Sequence, residues 1–485
     1  MPEPNQQYAH KWRVFATVAC GSFMATIDLS VVNLALPSLR DTFHIDLAQV
    51  EWVVLSYLLV ITSLLLTMGR LADLVGRTRL YNLGFVVFTA GSIMCGAAPS
   101  IPALVFFRVI QAAGASMLIS SATAVLLDAF PANQRGQVMG LNGTIFSAGA
   151  MVGPTLGGVL LTYLGWRAIF LVNVPVGLLG MVLAFRVLPR QHGLRGVKFD
   201  VLGSVLVGLA IVFLLLAINQ GQQDGWTLLV KGLVALAVAF SASFIVREVM
   251  ASEPLLRFGL FRTPGFTNAL VAQTISSLAN SSNLFLLPFF LVSVQGRPEA
   301  EAGTILLASS MTSFLVQPVG GWLADRLEVR YVASGGLLIV LLGYWLYSGV
   351  SASWSVADIV WRLVVMSLGF GAFMSPNAAA AYRHVPALER GLAVGTMSFL
   401  RNFGFTIGTA VAGSVWTLRS AVRASALGVD PSSNQAVVAG LHDTFLIVAC
   451  FVIVALVCSL SRPTLKGTEG AVRRADLAPL TLGEG

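Results

Sequence analysis

The stretch Gly143–Gly158, GTIFSAGAMVGPTLGG, decides how the rest of the sequence is interpreted. Its glycines Gly149, Gly153 and Gly157 are four residues apart, so on a helix they form one face without side chains. Such faces let membrane helices pack closely, because lipid supplies no hydrophobic force between helices and contact must come from packing. Pro154 removes a backbone donor, which predicts a kink. We therefore expect a membrane helix that packs closely on a partner across a bundle interface.

The composition is that of a polytopic membrane protein. Of the 485 residues, 56% are hydrophobic and 11% are charged, against roughly 25% charged in an ordinary soluble domain. Apolar runs of about twenty residues recur along the chain, each long enough to cross ~30 Å of hydrocarbon. Hydropathy predicts about fourteen spans in an all-α protein that lies in a lipid bilayer.

The basic residues predict the orientation of the chain. The formal net charge is +8, but Lys and Arg lie mainly in short loops between the predicted spans, so nucleic acid is not an expected partner. Roughly 70% of them fall on one side, which the positive-inside rule assigns to the cytoplasm of an inner (plasma) membrane. Arg108 and Arg401 are exceptions that lie within spans. A cytoplasmic N-terminus (1–13) and a cytoplasmic, disordered tail (463–485) follow.

An internal repeat divides the chain into two similar halves. GRLAD at 69–73 recurs as GWLAD at 321–325, and PANQRG at 131–136 recurs as PALERG at 386–391. The two matches have nearly the same separation, which contains an even number of predicted spans, so both halves have the same orientation. We expect two parallel six-helix bundles with an extra helix pair between them. Their predicted limits are 14–190, 199–250 and 260–462.

A glycine-rich, charged loop follows the second span. Its main residues are Gly69, Arg70, Asp73, Gly76 and Arg77. Glycine permits a tight turn, and Asp73 can accept hydrogen bonds or face the positive end of a helix, which suits a gate. The copy around Asp325 departs from the pattern at Leu327 and Glu328. A charged turn that only sets the topology is the alternative.

Two charged residues lie inside predicted spans. Asp28 is the only acidic residue near the middle of a span, and Arg108 lies in the fourth span. A charge at this depth costs about 2.5 kcal/mol or more unless it is paired or hydrated, so both are functional candidates. The alternatives are a carboxylate that is only satisfied by Asn33 or Arg108, and an arginine that extends to the membrane interface.

These motifs together resemble the fourteen-helix drug:proton antiporters of the major facilitator superfamily. The loop around Asp73 resembles the superfamily's G-x-L-a-D-x-x-G-R signature, and Arg108-Val-Ile-Gln111 resembles its R-x-x-Q signature. Asp28 and Asn33 fit the first-helix signature of the subfamily. The fifth-helix antiporter motif is matched by Gly149, Gly153, Pro154, Gly157 and Gly158. The resemblance implies proton coupling through Asp28 and Arg108, and gating by the loop and its copy at Asp325.

Polar residues on apolar helices are candidates for a substrate cavity. Gln273, Ser276, Ser277 and Asn280 follow the i, i+3, i+4, i+7 pattern, and lipid would reject such a face. The complete set of cavity candidates is Asn33, Tyr57, Gln111, Gln273, Ser277, Asn280 and Asn377. Ordinary helix packing is the alternative explanation for each of them.

The resemblance implies a proton-coupled exporter that acts by alternating access. Its substrates would be small lipophilic compounds, cations among them, because aromatic rings and a carboxylate suit cations. The few charges within spans argue against substrates with several phosphates or carboxylates. A dedicated exporter of one endogenous metabolite, such as an antibiotic or siderophore, is the nearest alternative. A membrane enzyme or scaffold is more distant, and no cofactor, metal or second protein is expected beside this monomer.

The basic-residue asymmetry generates a topological prediction. Reporter fusions at Thr78 and at both termini should report the cytoplasm, and fusions in the 219–229 hairpin should report the outside. The measurement is the activity of paired reporters that are active on opposite sides of the membrane. Thr78 on the outside would contradict both the orientation and the parallel repeat.

Overall fold

The computed structural model describes residues 10–45, 47–189, 193, 199–251, 255, 258–383, 385, 389–431 and 433–462. These residues form helices and connecting turns, and no strand occurs among them. The all-α prediction is therefore confirmed for this part of the chain. The predicted tail at 463–485 and most of the predicted N-terminal segment, 1–9, lie outside the described residues.

Fourteen long helices follow one another in the described chain. The first six are α1 (Lys11–Phe43), α2 (Leu47–Val75), α3 (Arg77–Gly96), α4 (Ile101–Ala129), α5 (Arg135–Leu164) and α6 (Asn173–Val187). A pair follows, α7 (Val201–Asp224) and α8 (Leu228–Met250). The last six are α9 (Pro264–Phe289), α10 (Glu299–Arg326), α11 (Val329–Ser348), α12 (Val356–Arg383), α13 (Arg390–Leu427) and α14 (Asn434–Leu460). Short helical segments lie at Ala132–Gln134, Arg167–Leu171, Phe258–Phe261 and Phe290–Val294.

Twelve helices of the described chain are long and apolar enough to cross a membrane. The two long helices outside this set are α3, which begins with Arg77 and Arg79, and α13, in which Arg401, Arg419 and Arg423 follow the first residue. These charges lower the mean hydropathy of both helices. The polytopic prediction is confirmed, whereas the count of fourteen spans stays a prediction.

The helices pack as two sets of six with the pair α7–α8 beside them. Helices α1–α6 contact one another, as do α9–α14, and the main contacts between the sets join α5 to α10 and α2 to α13. Helix α7 packs on α8 and on α2. Asp200 accepts a hydrogen bond from the backbone N–H of Gly203 at the start of α7 (3.0 Å) and pairs with Arg247 of α8 (3.2 Å), which fixes this pair.

The glycine face of α5 packs on α1. A Cβ atom at Gly149 would lie 2.8 Å from Cβ of Thr26, and one at Gly153 would lie 2.5 Å from Cβ of Ser30. Both contacts are shorter than real Cβ atoms allow, so only glycine permits this helix separation. The partner α1 belongs to the same set of six helices. The expectation of a partner across the bundle interface was therefore wrong, because a smooth face requires a close neighbour without specifying which one.

Pro154 explains a hydrogen bond at the same contact. Proline has no N–H, so the carbonyl of Ala150, four residues earlier, has no helical donor. The hydroxyl of Ser30 donates to this carbonyl oxygen at 3.4 Å. Because of the proline, α5 and α1 are joined by a hydrogen bond in a contact where only apolar packing was expected.

Gly158 differs from the other motif glycines. Gly157 would place a Cβ atom 3.0 Å from Cγ1 of Val31 on α1, but no atom lies within 4 Å of a Cβ atom at Gly158. One residue turns the chain by about 100° around a helix, so Gly158 points away from the face that Gly157 shares. The structure thus places Gly158 outside the α1–α5 contact.

The contrast between these glycines yields a matched pair of variants. Gly153→Leu should destabilise the protein by about 1–3 kcal/mol or more, because the side chain overpacks the α1–α5 contact. Gly158→Leu adds the same side chain to the same helix in open space and should leave stability unchanged. Thermal unfolding of purified protein in detergent measures both, and equal unfolding temperatures would contradict the packing described.

Candidate functional site

A fully buried ion pair lies between α1 and α4. Arg108 Nη1 is 2.6 Å from Asp28 Oδ2, and both side chains have an exposed fraction of 0%. An arginine that extends to the membrane interface would not be completely buried, so the structure does not support that alternative for Arg108. The sequence singled out both residues, and the structure brings them together.

Two amides complete the shell around the Asp28 carboxylate. Gln111 Nε2 and Asn173 Nδ2 donate to Asp28 Oδ1 at 2.8 and 2.9 Å. Gln111 also accepts a hydrogen bond from Arg108 Nη1 at 2.7 Å. Helices α1, α4 and α6 therefore meet at one carboxylate, which accepts three hydrogen bonds from the described side chains.

The arginine is held from α2 as well. Its Nε donates to the carbonyl of Val53 at 3.0 Å, and its guanidinium stacks on the ring of Tyr57 with 3.9 Å to the centroid. Breaking a buried pair by removing one partner typically costs about 3–5 kcal/mol, because the other charge is left uncompensated. Neutralising Asp28 therefore weakens a cluster of contacts that joins four helices, α1, α2, α4 and α6.

A second group of charges joins the two sets of helices. Asp73, at the end of α2, accepts hydrogen bonds from the backbone N–H groups of Gly391 (2.9 Å) and Leu392 (2.8 Å) at the start of α13. Arg77 donates to the same carboxylate at 2.8 Å. The carboxylate thus caps a helix of the opposite set, where the positive end of the helix dipole favours a negative charge.

The repeat reproduces this contact in the other direction. Asp325, at the end of α10, accepts hydrogen bonds from the backbone N–H groups of Gly136 (2.8 Å) and Gln137 (2.7 Å) at the start of α5. The copy keeps this geometry although its sequence departs from the pattern at Leu327 and Glu328. We call the two contacts, Asp73 with α13 and Asp325 with α5, the reciprocal gate.

Close backbone approach and further ion pairs reinforce the gate. A Cβ atom at Gly69 would lie 2.8 Å from Cα of Gly395. Asp128 bridges the two sets, since it lies 2.5 Å from Arg77 and 2.7 Å from Arg390. These contacts close the space between the sets at the end of the molecule where α2 and α10 terminate.

A cavity of about 170 Å³ lies between the two sets, directly inside the gate. We call it the central cavity. Residues of α4, α5, α9, α10, α12 and α13 form its wall: Ile119, Ala122, Thr123, Met139, Asn142, Gly143, Phe146, Gln273, Gln317, Met374, Ser375, Ala378, Tyr382, Met397, Ser398 and Arg401. Most of these side chains are apolar or neutral, Arg401 is charged, and none of the described lining residues is acidic. The gate therefore separates this cavity from one face of the protein.

Comparison with known proteins decides the family. The chain matches the Major Facilitator Superfamily over residues 18–260 and 269–482. The chain belongs to the Major Facilitator Superfamily. Members of this superfamily are transporters, so the protein is a membrane transporter rather than an enzyme, and the enzyme alternative is set aside.

Curated relatives in this superfamily include exporters and a vitamin transporter. The chain is 31% identical over 401 residues to the riboflavin transporter RibZ of Clostridioides difficile (strain 630), which covers 82% of this chain and 87% of the relative. It is 35% identical over 398 residues to the multidrug resistance protein Stp of Mycobacterium tuberculosis (strain CDC 1551 / Oshkosh), covering 81% and 74%. It is 30% identical over 410 residues to the tetracenomycin C resistance and export protein of Streptomyces glaucescens, covering 84% and 76%.

A solved structure shows the same fold. The crystal structure of the human organic anion transporter MFSD10 (TETRAN) aligns with a TM-score of 0.65 over 93% of this chain and 99% of that chain, at 16% sequence identity. At this identity the likeness shows the fold alone. The predicted major facilitator fold is thereby confirmed.

The predicted cavity residues of this superfamily member divide between two places. Gln273 lies on the wall of the central cavity, whereas Gln111 and Tyr57 lie in the shell of the Asp28–Arg108 pair. Asn377 is buried behind Gln273 and donates to its Oε1 at 3.1 Å. The sequence indicates that these side chains are polar and lie inside the protein. It does not distinguish a residue on the cavity wall from one buried behind the wall.

The other predicted residues occupy supporting positions. Ser277 accepts a hydrogen bond from Gln273 Nε2 at 3.2 Å, and Asn280 is half-buried outside the central cavity. Asn33 is exposed on α1 and donates to the carbonyl of Leu29 at 3.2 Å, so it does not satisfy Asp28. Of the residues predicted for the loop, Gly69, Arg70 and Asp73 lie in the last turns of α2, because the helix continues to Val75. Arg70 is buried, and Gly76, between α2 and α3, has φ 104°, a conformation that favours glycine.

Sequence reasoning missed three kinds of residue. Gly136 and Gly391 were noticed only as members of the repeat, although they supply the helix ends that the carboxylates contact. The sequence motifs do not link Asn173 to Asp28, although its side-chain amide donates to that carboxylate. Arg401 was counted among basic residues without a role, yet an arginine inside a span was itself a sufficient signal.

The gate geometry predicts a specific effect of adding one methyl group. A Cβ atom at Gly391 would lie 2.7 Å from Cγ of Asp73, so Gly391→Ala should push α13 away from α2 and lower transport several-fold. Gly335→Ala in α11 is the matched control, because no atom lies within 4 Å of its Cβ position. Spin-label distances between the ends of α2 and α13 should lengthen only in the Gly391 variant. Unchanged distances there would contradict the gate.

Proposed function

We propose that this transporter is a proton-coupled antiporter that exports small lipophilic compounds. The observation that supports the proposal best is the completely buried Asp28–Arg108 pair. Ionisable residues at membrane depth mark ion or proton pathways by default, because their burial is otherwise unfavourable. In this proposal Asp28 is protonated in one state and charged in the other, while Arg108 stays charged in both. The attraction between the two side chains is then strong only when Asp28 is charged.

The reciprocal gate supports alternating access between two bundles at 14–190 and 260–462. Its contacts lie at the end that the basic residues assign to the cytoplasm, so in this proposal the structure represents the state that is closed to the cytoplasm. Hydrogen bonds to charged groups contribute about 1.5–3 kcal/mol each. The exposed carboxylates and N–H groups would bind water after opening, so the closed and open states can have similar free energies.

The α1–α5 contact connects the ion pair to the gate. Asp28 lies on α1 between Thr26 and Ser30, and these two residues contact the glycine face of α5. The first residues of the same α5 donate to Asp325. Protonation of Asp28 would weaken its attraction to Arg108 and allow α1 to shift, and close packing would transmit that shift to α5 and its gate contact.

The central cavity suits lipophilic compounds of varied shape. Three methionines, Met139, Met374 and Met397, lie on its wall together with Phe146 and Tyr382. Methionine side chains are flexible and polarisable, so they adapt to different apolar surfaces. The relatives named for multidrug resistance and for tetracenomycin C export support the export direction. The riboflavin and tetracenomycin C relatives are named for single compounds, so a substrate panel should also include single metabolites.

We further propose that the protein acts as a monomer in the inner membrane with both termini in the cytoplasm. The two sets of helices already enclose the central cavity within one chain, so a second copy is not needed to complete it. The orientation follows from the distribution of basic residues. Both proposals are compatible with the reciprocal gate, since its two halves come from the same chain.

The test of proton coupling is Asp28→Asn. Removing the carboxylate charge should reduce efflux driven by an imposed pH gradient at least tenfold, because the exchangeable proton site is lost. Asp28→Glu should keep part of the activity. Asp41→Asn is the control, since Asp41 is exposed and pairs with Arg40 at the surface (3.0 Å), and it should transport normally. Efflux is measured in vesicles with a panel of lipophilic compounds.

A charge-balanced variant separates coupling from folding. Asp28→Asn alone leaves Arg108 buried without its partner, which destabilises the protein. The double variant Asp28→Asn with Arg108→Gln removes both charges and should fold, bind substrate and fail to respond to the pH gradient. Normal pH-driven efflux by either Asn variant would refute the assignment of proton coupling to Asp28.

A further inference from the structure

Arg401 is a cation in the central cavity that no described carboxylate pairs with. It lies on α13, on the cavity wall, and has no hydrogen bond or ion pair with any residue that the structure describes. The ring of Phe146 on α5 lies 6.0 Å from the guanidinium, and the phenol of Tyr382 on α12 also interacts electrostatically with it. An arginine within a membrane protein is normally paired or faces water or a ligand pathway. A partner from outside the chain is therefore expected.

The cavity wall offers no carboxylate to meet this charge. None of the described residues that line the central cavity is acidic. Asp28, the buried acidic residue of α1, is already bound to Arg108, Gln111 and Asn173 in a separate buried cluster. The wall of the central cavity therefore carries a positive charge. The sequence had instead led us to expect a carboxylate that would attract cationic substrates.

A hydrogen-bond donor lies on the same wall. Asn142 Oδ1 accepts a hydrogen bond from Ser22 at 3.2 Å, and Asn142 Nδ2 donates to no described residue. A guanidinium and a free amide N–H group together form a donor set for a carboxylate or phenolate oxygen. Tyr382, also on the wall, adds a neutral phenol.

The rest of the wall limits the number of charges in the ligand. Met139, Phe146, Met374 and Met397 surround Arg401 with apolar surface. The volume of about 170 Å³ is similar to that of an engineered cavity of ~150 Å³ that binds benzene, so this conformation accommodates about one ring. One arginine neutralises one acidic group, and further charges on a ligand would be buried without partners.

We propose that the central cavity selects lipophilic organic anions with a single acidic group, which Arg401 and Asn142 bind. This inference rests on the proposed function in that the cavity is where the exported compound binds. A cationic compound of the same shape would meet a like charge at close range and is disfavoured. A neutral analogue would displace water from Arg401 without replacing its interactions, and should bind less tightly than the anion.

The test compares three probes that share one ring system. These are phenylacetate, its neutral primary amide, and the cation 2-phenylethylammonium. Binding to the purified full-length protein is measured by equilibrium dialysis at constant pH and without a membrane gradient. The wild-type protein should bind the carboxylate at least tenfold more tightly than the amide, and the ammonium least tightly.

Variants then assign the preference to Arg401. Arg401→Gln should abolish the preference for the carboxylate while the affinity for the amide stays within about twofold. Arg401→Lys should keep part of the preference, because the charge remains but the planar donor group is lost. Asn142→Ala should weaken carboxylate binding more than amide binding. Arg186→Gln, which removes an exposed charge at the end of α6, is the charge-matched control and should bind all three probes normally.

The outcomes are distinguishable from those of the coupling test. A wild-type protein that fails to bind the carboxylate, or that prefers the amide or the ammonium, overturns the proposal without any variant having to fold. An Arg401→Gln protein that retains the carboxylate preference overturns it as well. Because binding is measured without a pH gradient, normal pH-driven efflux by the Asp28→Asn variant would contradict the proposed role of Asp28 in antiport and leave this binding result intact.

Discussion

The structure depends on two carboxylates that cap helices which do not belong to their own half. The first N–H groups of a helix have no partner within it and carry a partial positive charge. Asp73 satisfies those of α13, and Asp325 satisfies those of α5. Because each half supplies one carboxylate and one helix terminus, the two halves cannot separate at this end without uncovering both termini. The same contacts therefore hold the two halves together at this end, and in the proposed mechanism they break when the molecule opens.

The same requirement, that a charge away from water must have a partner, organises the interior. Asp28 and Arg108 satisfy each other with help from Gln111 and Asn173, and the result is a cluster with no exposed surface. Arg401 breaks this pattern, since it lies on the cavity wall and forms no hydrogen bond or ion pair with a described residue. A closed pair suits a site that responds to protons, whereas an open cation suits a site that binds a ligand. In the proposed mechanism these two tasks belong to different residues, proton response to Asp28 and Arg108 and ligand binding to Arg401 with Asn142.

The sequence predicted the helical fold, the repeat and the candidates Asp28 and Arg108, because glycine spacing and charges within apolar runs are local signals. It did not predict the partner of the glycine face, since Gly149 and Gly153 specify how close a neighbour must be and not which helix it is. It also grouped Gln111 with the cavity, although this side chain binds Asp28. Polarity inside a span shows that a residue has a partner, but the identity of that partner depends on how distant helices meet.

The copy at Asp325 shows what the loop motif physically requires. The first half surrounds its carboxylate with Arg77, and Asp128 links Arg77 to Arg390 across the gate. The second half lacks that arginine in the corresponding loop, and Arg383 lies 3.6 Å from Asp325 instead. The hydrogen bonds to the helix terminus are nevertheless equally short in both halves. The essential pair is therefore the carboxylate and the opposite helix end, and the arginines around it adjust the strength of a contact that already exists without them.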